Sequence, residues 1–481
     1  MSQHDHGRRP ARMTSGQRSL PDEAPVEPHR PDDGREEVAQ SLAISGRAVR
    51  WLDRLSRADW LDRDRIIAWG GMLLAFETLF LGFMVLWHHD VFVPVDPPSS
   101  TDFVSFYGAG KLALAGTPAL VYNQIAHAAA EVAATSPGIP YQFFFYPPVY
   151  LFWCIPLALP SFMTGFVLFQ AVTLGAWLLV MGRILCSPGW AWCVPMLAYP
   201  AAFWTLGVGQ NAFLTAALLG GMTLLLDKRP IGAGVLLGML CYKPHLALLA
   251  PAALAAGGRW RTFGAAAVTL AACVGLSVAL FGVDTWRAYL NALAGSQAVY
   301  ESGQIDLAAF VTPYGAARVL GAGARAAQVL QAVASVLVAI TVGWIWRRDR
   351  GPAERSAALA AGTLLSVPLA LIYELTLLTV AIAWLVRAGR ATGFLPWEKL
   401  VMLFCFLVPL VSRHLGQATH IPIAPLAPAA LLALCLVRTL RARLRFDPLG
   451  GAAGLPGAIT DKRPGNPAIS AIPTQPGPKP A

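Results

Sequence analysis

Apolar runs long enough to cross a bilayer, about 20 residues each, alternate along the chain with short polar or basic breaks. Such runs span as helices, because in lipid every backbone N–H and C=O must bond within its own segment. The first covers residues 66–88. Others lie at 162–181, 190–206, 212–226, 262–281, 326–346, 356–372, 375–386, 400–411 and 423–437, with a shorter one from Tyr146 to Pro160. Residues 231–256 are interrupted by Lys243-Pro244, which predicts a broken helix or a re-entrant hairpin. The pattern predicts an all-α polytopic membrane protein with a transmembrane domain over residues 66–445 and about 10 to 12 spans.

The longest stretch inside this domain that does not span is residues 100–150, most of a first loop at 89–146. Helical spacing predicts one amphipathic helix over 102–115 and a second over 123–134, separated by the breaker Gly116-Thr117-Pro118. Asp102, after Ser100-Thr101, reads as a helix N-cap. Before the domain, residues 47–65 place Trp51, Leu52 and Leu55 on one face and arginines on the other, as in a helix lying on a membrane surface. Residues 1–46 and 446–481 read as disordered tails, the first cytoplasmic.

Composition agrees. The 481 residues are 56% hydrophobic and 13% charged, with a mean hydropathy of +0.52; soluble domains carry about 25% charged residues. The net charge of +10 comes from the N-terminal tail and from clusters beside apolar runs, the positive-inside pattern, so no nucleic-acid partner is expected. Those clusters mark cytoplasmic turns and put the first loop, residues 207–211, Tyr373-Glu374 and residues 413–420 on the extracytoplasmic side. The seven cysteines lie mostly in apolar segments, without C-x-x-C spacing or nearby His pairs, and read as small core residues. Asp62-Arg63-Asp64 has the D-x-D form that holds a metal-nucleotide in soluble glycosyltransferases, but it sits in a basic run before a span and reads as a decoy.

The polar exceptions fall at helix ends or interruptions on the outer side: Asp102, Tyr146, Gln210-Asn211, Lys243, His245, Tyr373-Glu374 and Arg413-His414. Charges at membrane depth face protein or a wet cavity and mark function by default. Glu77, in mid-span, carries the same demand. Bland roles compete with each: a cap for Gln210-Asn211, a helix start for Tyr146-Pro147-Pro148, a snorkelling Lys243, an ion pair for Glu374.

D-F-V-S-F-Y-G-A-G-K-L-A-L-A-G at 102–116, F-F-Y-P-P at 144–148, G-Q-N-A-F-L-T-A-A-L-L at 209–219 and A-G-V-L-L-G-M-L-C-Y-K-P-H-L-A-L at 233–248 occur in that order. Together they resemble glycosyltransferase family 87, of the GT-C fold class. S-V-P-L-A-L-I-Y-E-L-T-L-L at 366–378 is a weaker element, with Tyr-Glu where the family tends to have Tyr-Asp. The resemblance implies an inverting transfer of a hexose such as mannose from a polyprenyl-phosphate carrier to a glycolipid or glycan acceptor, outside a bacterial plasma membrane. It implies Asp102 as general base, Lys243, Arg413 and His414 as candidates for the donor phosphate, and Tyr107, Tyr146, Gln210, Asn211, His245 and Glu374 as candidates for sugar or acceptor. No cofactor is demanded, although Asp102 and Glu374 could hold a divalent metal. A transporter or flippase of a lipid-linked substrate fits the same outline, as does a lipid-carrier binding protein without catalysis.

Overall fold

The computed structural model describes residues 51–87, 101–301, 305–348 and 351–445. Both expected tails and the start of the first loop lie outside these. The chain divides after Ser56 into two compact units. Residues 51–57 are helical, and Ala58, with φ of 45°, stops the turn. The expected 47–65 helix is therefore not continuous.

From Arg63 onward the helices in order are α1 (Arg63–Trp87), α2 (Asp102–Leu114), α3 (Gln124–Ala134), α4 (Leu151–Ala158), α5 (Phe162–Leu185), α6 (Cys193–Leu197), α7 (Pro200–Val208) and α8 (Ala212–Leu225). There follow α9 (Pro230–Gly238), α10 (Pro244–Ala247), α11 (Leu249–Ala256), α12 (Trp260–Phe281), α13 (Val283–Glu301), α14 (Pro313–Val319) and α15 (Ala324–Arg348). The last are α16 (Pro352–Leu365), α17 (Leu378–Thr392), α18 (Glu398–Thr419) and α19 (Leu426–Arg445). The structure is 79% helical, without strands among the described residues.

Among the described residues, six segments are long and apolar enough to cross a membrane: Arg63–Phe83, Phe162–Leu185, Trp260–Phe281, Ala324–Arg348, Ile372–Thr392 and Glu398–Thr419. Their burial separates two roles. In the most apolar stretch of Ile372–Thr392, 83% of residues are buried, whereas in that of Trp260–Phe281 only 6% are. The latter exposes Val268, Leu270, Leu276 and Leu280, a face that water would penalise and lipid would not. Glu77, on the mostly outward α1, is buried against protein, and neither of its carboxylate oxygens has a hydrogen-bond partner among the described residues.

Several expected spans are not single long helices. The run at 190–206 forms α6 and α7, parted at Ala198-Tyr199, with Pro200 opening the second helix where its missing N–H is harmless. The run at 356–372 stops at Leu365 because Pro368 lies just beyond; Val311 N–H then bonds Ala370 O at 2.9 Å. Residues 231–256 are broken around Lys243-Pro244, into α9, a 3₁₀ turn at Met239–Tyr242, α10 and α11. Both loop helices form as expected, and the side chain of Asn123 caps α3 by accepting from Ala126 N–H at 3.0 Å.

Candidate active site

Asp102 is the first helical residue of α2 rather than its N-cap. Thr101 holds the cap position in extended backbone, with no side-chain cap bond. Freed from capping, the Asp102 carboxylate reaches Gln210, whose Nε2 donates to Oδ2 at 2.6 Å. Its other oxygen accepts no hydrogen bond from a described residue.

Two glycines make this meeting possible. Gly209 closes α7 in the left-handed conformation (φ 70°), which turns the chain so that Gln210 faces α2; a Cβ there would stand 2.7 Å from Phe103 Cβ. Gly110 lets α2 lie directly on α4, since a Cβ there would come within 2.2 Å of Cys154 O. Between these contacts Phe103 packs its ring against Phe162, Phe166 and Phe169 of α5.

From Gln210 the network runs inward. Its Oε1 accepts from Tyr146 OH at 3.2 Å and from Asn211 N–H at 3.1 Å, and Asn211 Nδ2 donates to Tyr150 OH at 2.9 Å. Tyr150 stacks on Tyr146 (4.4 Å between centroids) and on Tyr242 (5.2 Å). Lys243 Nζ lies 5.7 Å from the Tyr146 ring centre and 5.6 Å from that of Tyr373, an attractive position for a cation, and pairs with Glu374. Both members of that pair are buried, and Glu374 Oε2 has no hydrogen-bond partner among the described residues. Burial pushes the Asp102 carboxyl above the usual carboxylate range, while the Gln210 hydrogen bond and the Lys243 charge pull it back.

The structure thus brings together Asp102, Tyr146, Gln210, Asn211, Lys243 and Glu374, with His245 two residues beyond Lys243 and partly buried. It does not bring in the other candidates. Tyr107 donates its hydroxyl to Pro160 O at 2.9 Å. Arg413 is held by Asp306 (Nε to Oδ2, 2.7 Å) and lies over Trp204. His414 is exposed on α18. Glu374, the other half of the suggested Asp102–Glu374 metal pair, is paired with Lys243; no group of three or more His, Cys, Asp and Glu placed to hold a metal ion occurs among the described residues.

Sequence reading missed His127 and Glu131, fully buried one turn apart on α3. His127 Nε2 bonds Ser105 O at 3.0 Å, its Nδ1 lies 3.5 Å from Glu131 Oε1, and Glu131 Oε2 accepts from Gln142 N–H at 3.0 Å. Burial lowers His127 to about 4 and raises Glu131 to about 8. Both are therefore neutral at pH 7, when a protonated Glu131 can face the bare Nδ1. The pair fastens α3 to α2 three residues from Asp102. Its i, i+4 spacing was the available signal.

The model of glycosyltransferase family 87 matches residues 144–372. Tyr146, Gln210, Asn211, Lys243 and His245 fall inside the match; Asp102 and Glu374 lie outside it. No curated protein and no solved structure matches the chain.

Proposed function

We propose that this membrane glycosyltransferase of family 87 transfers a hexose from a polyprenyl-phosphate carrier to an acceptor hydroxyl, with inversion, on the extracytoplasmic face of a bacterial plasma membrane. The carrying observation is the placement of Asp102 at the head of α2, one oxygen held by Gln210 and the other accepting no hydrogen bond from a described residue, with Tyr146 linking Gln210 to the buried Lys243–Glu374 pair.

In this reading the acceptor oxygen attacks the anomeric carbon and the carbon–oxygen bond to the carrier phosphate breaks, the phosphate leaving with the bonding electrons. Asp102 takes the hydroxyl proton, and its raised pKa makes it a stronger base than an exposed aspartate. Gln210 fixes the carboxylate's orientation. Lys243 stabilises the negative charge gathering on the phosphate, and Tyr146 and Asn211 hold sugar hydroxyls. A lipid-borne donor arrives sideways through the bilayer, which suits a chain without an evident nucleotide-binding domain. Positive-inside clusters support the assigned face.

The test is transfer from radiolabelled polyprenyl-phosphate sugars, mannose first, by membranes holding equal amounts of wild type or Asp102→Asn. A labelled product that falls roughly 10²–10⁴-fold in the variant supports the base. Equal product removes Asp102 from the mechanism, and substrate flux with no glycoside formed would favour a transporter.

A further inference from the structure

Far from Asp102, three candidate spans end together. Phe162, which touches Phe103, opens the 24-residue α5 and Leu185 closes it, roughly 35 Å away at the helical rise. There Arg63 at the start of α1, Arg387 and Arg390 near the end of α17, and Cys186, Ser187 and Pro188 after α5 line a cavity of about 490 Å³.

The cavity is basic and its lining includes no acid. Arg387 and Arg390 each donate an Nη1 bond, at 3.4 Å, to Ile184 O and Leu185 O, among the last carbonyls of α5. The negative end of that helix suits them there. Arg387 also lies 5.1 Å over the Trp384 ring. Each guanidinium carries five N–H donors, so most remain unused, and none of the three arginines forms an ion pair with a described residue. Cys186, in left-handed backbone at φ 47°, turns the chain back over the site.

Depth indicates the occupant. The lining elements are the ends of three membrane-length helices on one side, the level at which lipid phosphates lie. Trp190 beside them is 76% exposed, as in the aromatic belt of a membrane interface. We infer that this cavity binds a phosphate-bearing group, supplied by the headgroup of an anionic lipid in the leaflet opposite Asp102.

The test uses the full chain in neutral detergent, its unfolding temperature followed while phosphatidylglycerol, phosphatidylcholine or inorganic phosphate is added. Wild type should be stabilised saturably by phosphatidylglycerol alone. Arg63→Gln, which breaks no ion pair or side-chain hydrogen bond with a described residue, should weaken the apparent lipid affinity roughly fivefold, and Arg387→Gln/Arg390→Gln more. If the double variant is unstable, the single one still decides. Full stabilisation by inorganic phosphate, lost in Arg63→Gln, would retain phosphate recognition and exclude the lipid. Equal effects of both lipids, or affinity unchanged in both variants, would overturn the inference.

Discussion

Two buried ion pairs sit in this protein under similar conditions and are built differently. In the first, Arg438 Nε and Nη2 donate to the two oxygens of Glu398 at 2.7 Å each. Arg438 also reaches Thr392 Oγ1 and Gly393 O, and Glu398 Oε2 accepts from Leu395 N–H. All the carboxylate's oxygens are bonded, and α17, α18 and α19 are joined. In the second, Lys243 meets Glu374 with aromatic faces around it, while Glu374 Oε2 is buried without a hydrogen-bond partner among the described residues. Thr101 Oγ1, beside Asp102, and Asn211 Oδ1 are also buried and without a hydrogen-bond partner among the described residues. A buried acceptor left unmet costs about 1–3 kcal/mol. Several around one pair is how a region looks when a ligand completes it, whereas the Arg438 clamp is already complete.

That contrast can be broken experimentally. Arg438→Met should have the largest effect on folding, about 3–5 kcal/mol, because it strands a buried carboxylate; denaturant unfolding in detergent measures it. Lys243→Met/Glu374→Leu removes both charges together and should keep stability within about 1 kcal/mol, yet lower sugar transfer roughly a hundredfold. Comparable loss of stability in both variants would erase the distinction between clamp and site.

Gln210→Ala should reduce transfer about tenfold, the loss of one charge-assisted bond. It should also move the acid limb of the pH–rate profile upward, since the Gln210 hydrogen bond lowers the Asp102 pKa. Activity of wild type should already fail on acidification above the ordinary aspartate range.

The smallest effect concerns Glu131. Its folded pKa of about 8 exceeds the ordinary 4.5, so the folded state holds the proton more tightly. That favours folding at low pH, and the advantage declines as pH rises from 4.5 to about 8. His127, lowered from 6.5 to about 4, contributes the opposite slope, gained as pH rises from about 4 to 6.5. Between pH 6.5 and 8 only the Glu131 term remains, so wild-type stability should fall across that window. Glu131→Gln, which can still donate to His127 Nδ1, should flatten it by thermal unfolding.

Much of this was legible from residue pattern because it is local. The broken helix at Lys243-Pro244, the two loop helices and the long outer spans follow from proline placement and apolar periodicity. Other features depend on partners distant in sequence. Asp102 reads as a cap until Gln210, 108 residues on, is seen to claim it. Glu374 offered no sign of Lys243, nor Arg413 of Asp306. The run at 190–206 is apolar enough to span, and composition cannot tell a membrane helix from two short helices buried in protein. His127 and Glu131 sit on a stretch that looked merely amphipathic, because burial of both was invisible.

The glycine contact beneath α2 has one more consequence. With Gly110 pressed on the Cys154 carbonyl, the helix bearing Asp102 has no room to slide along α4 or to rock toward it. The acid is a fixed mark at one height. Under the proposed function, a bond would be made only when a sugar and a hydroxyl are both delivered to that height, so geometry would select among membrane-borne molecules by the reach between their anchor and their reacting atom. A longer or shorter headgroup would present the wrong atom to the same carboxylate.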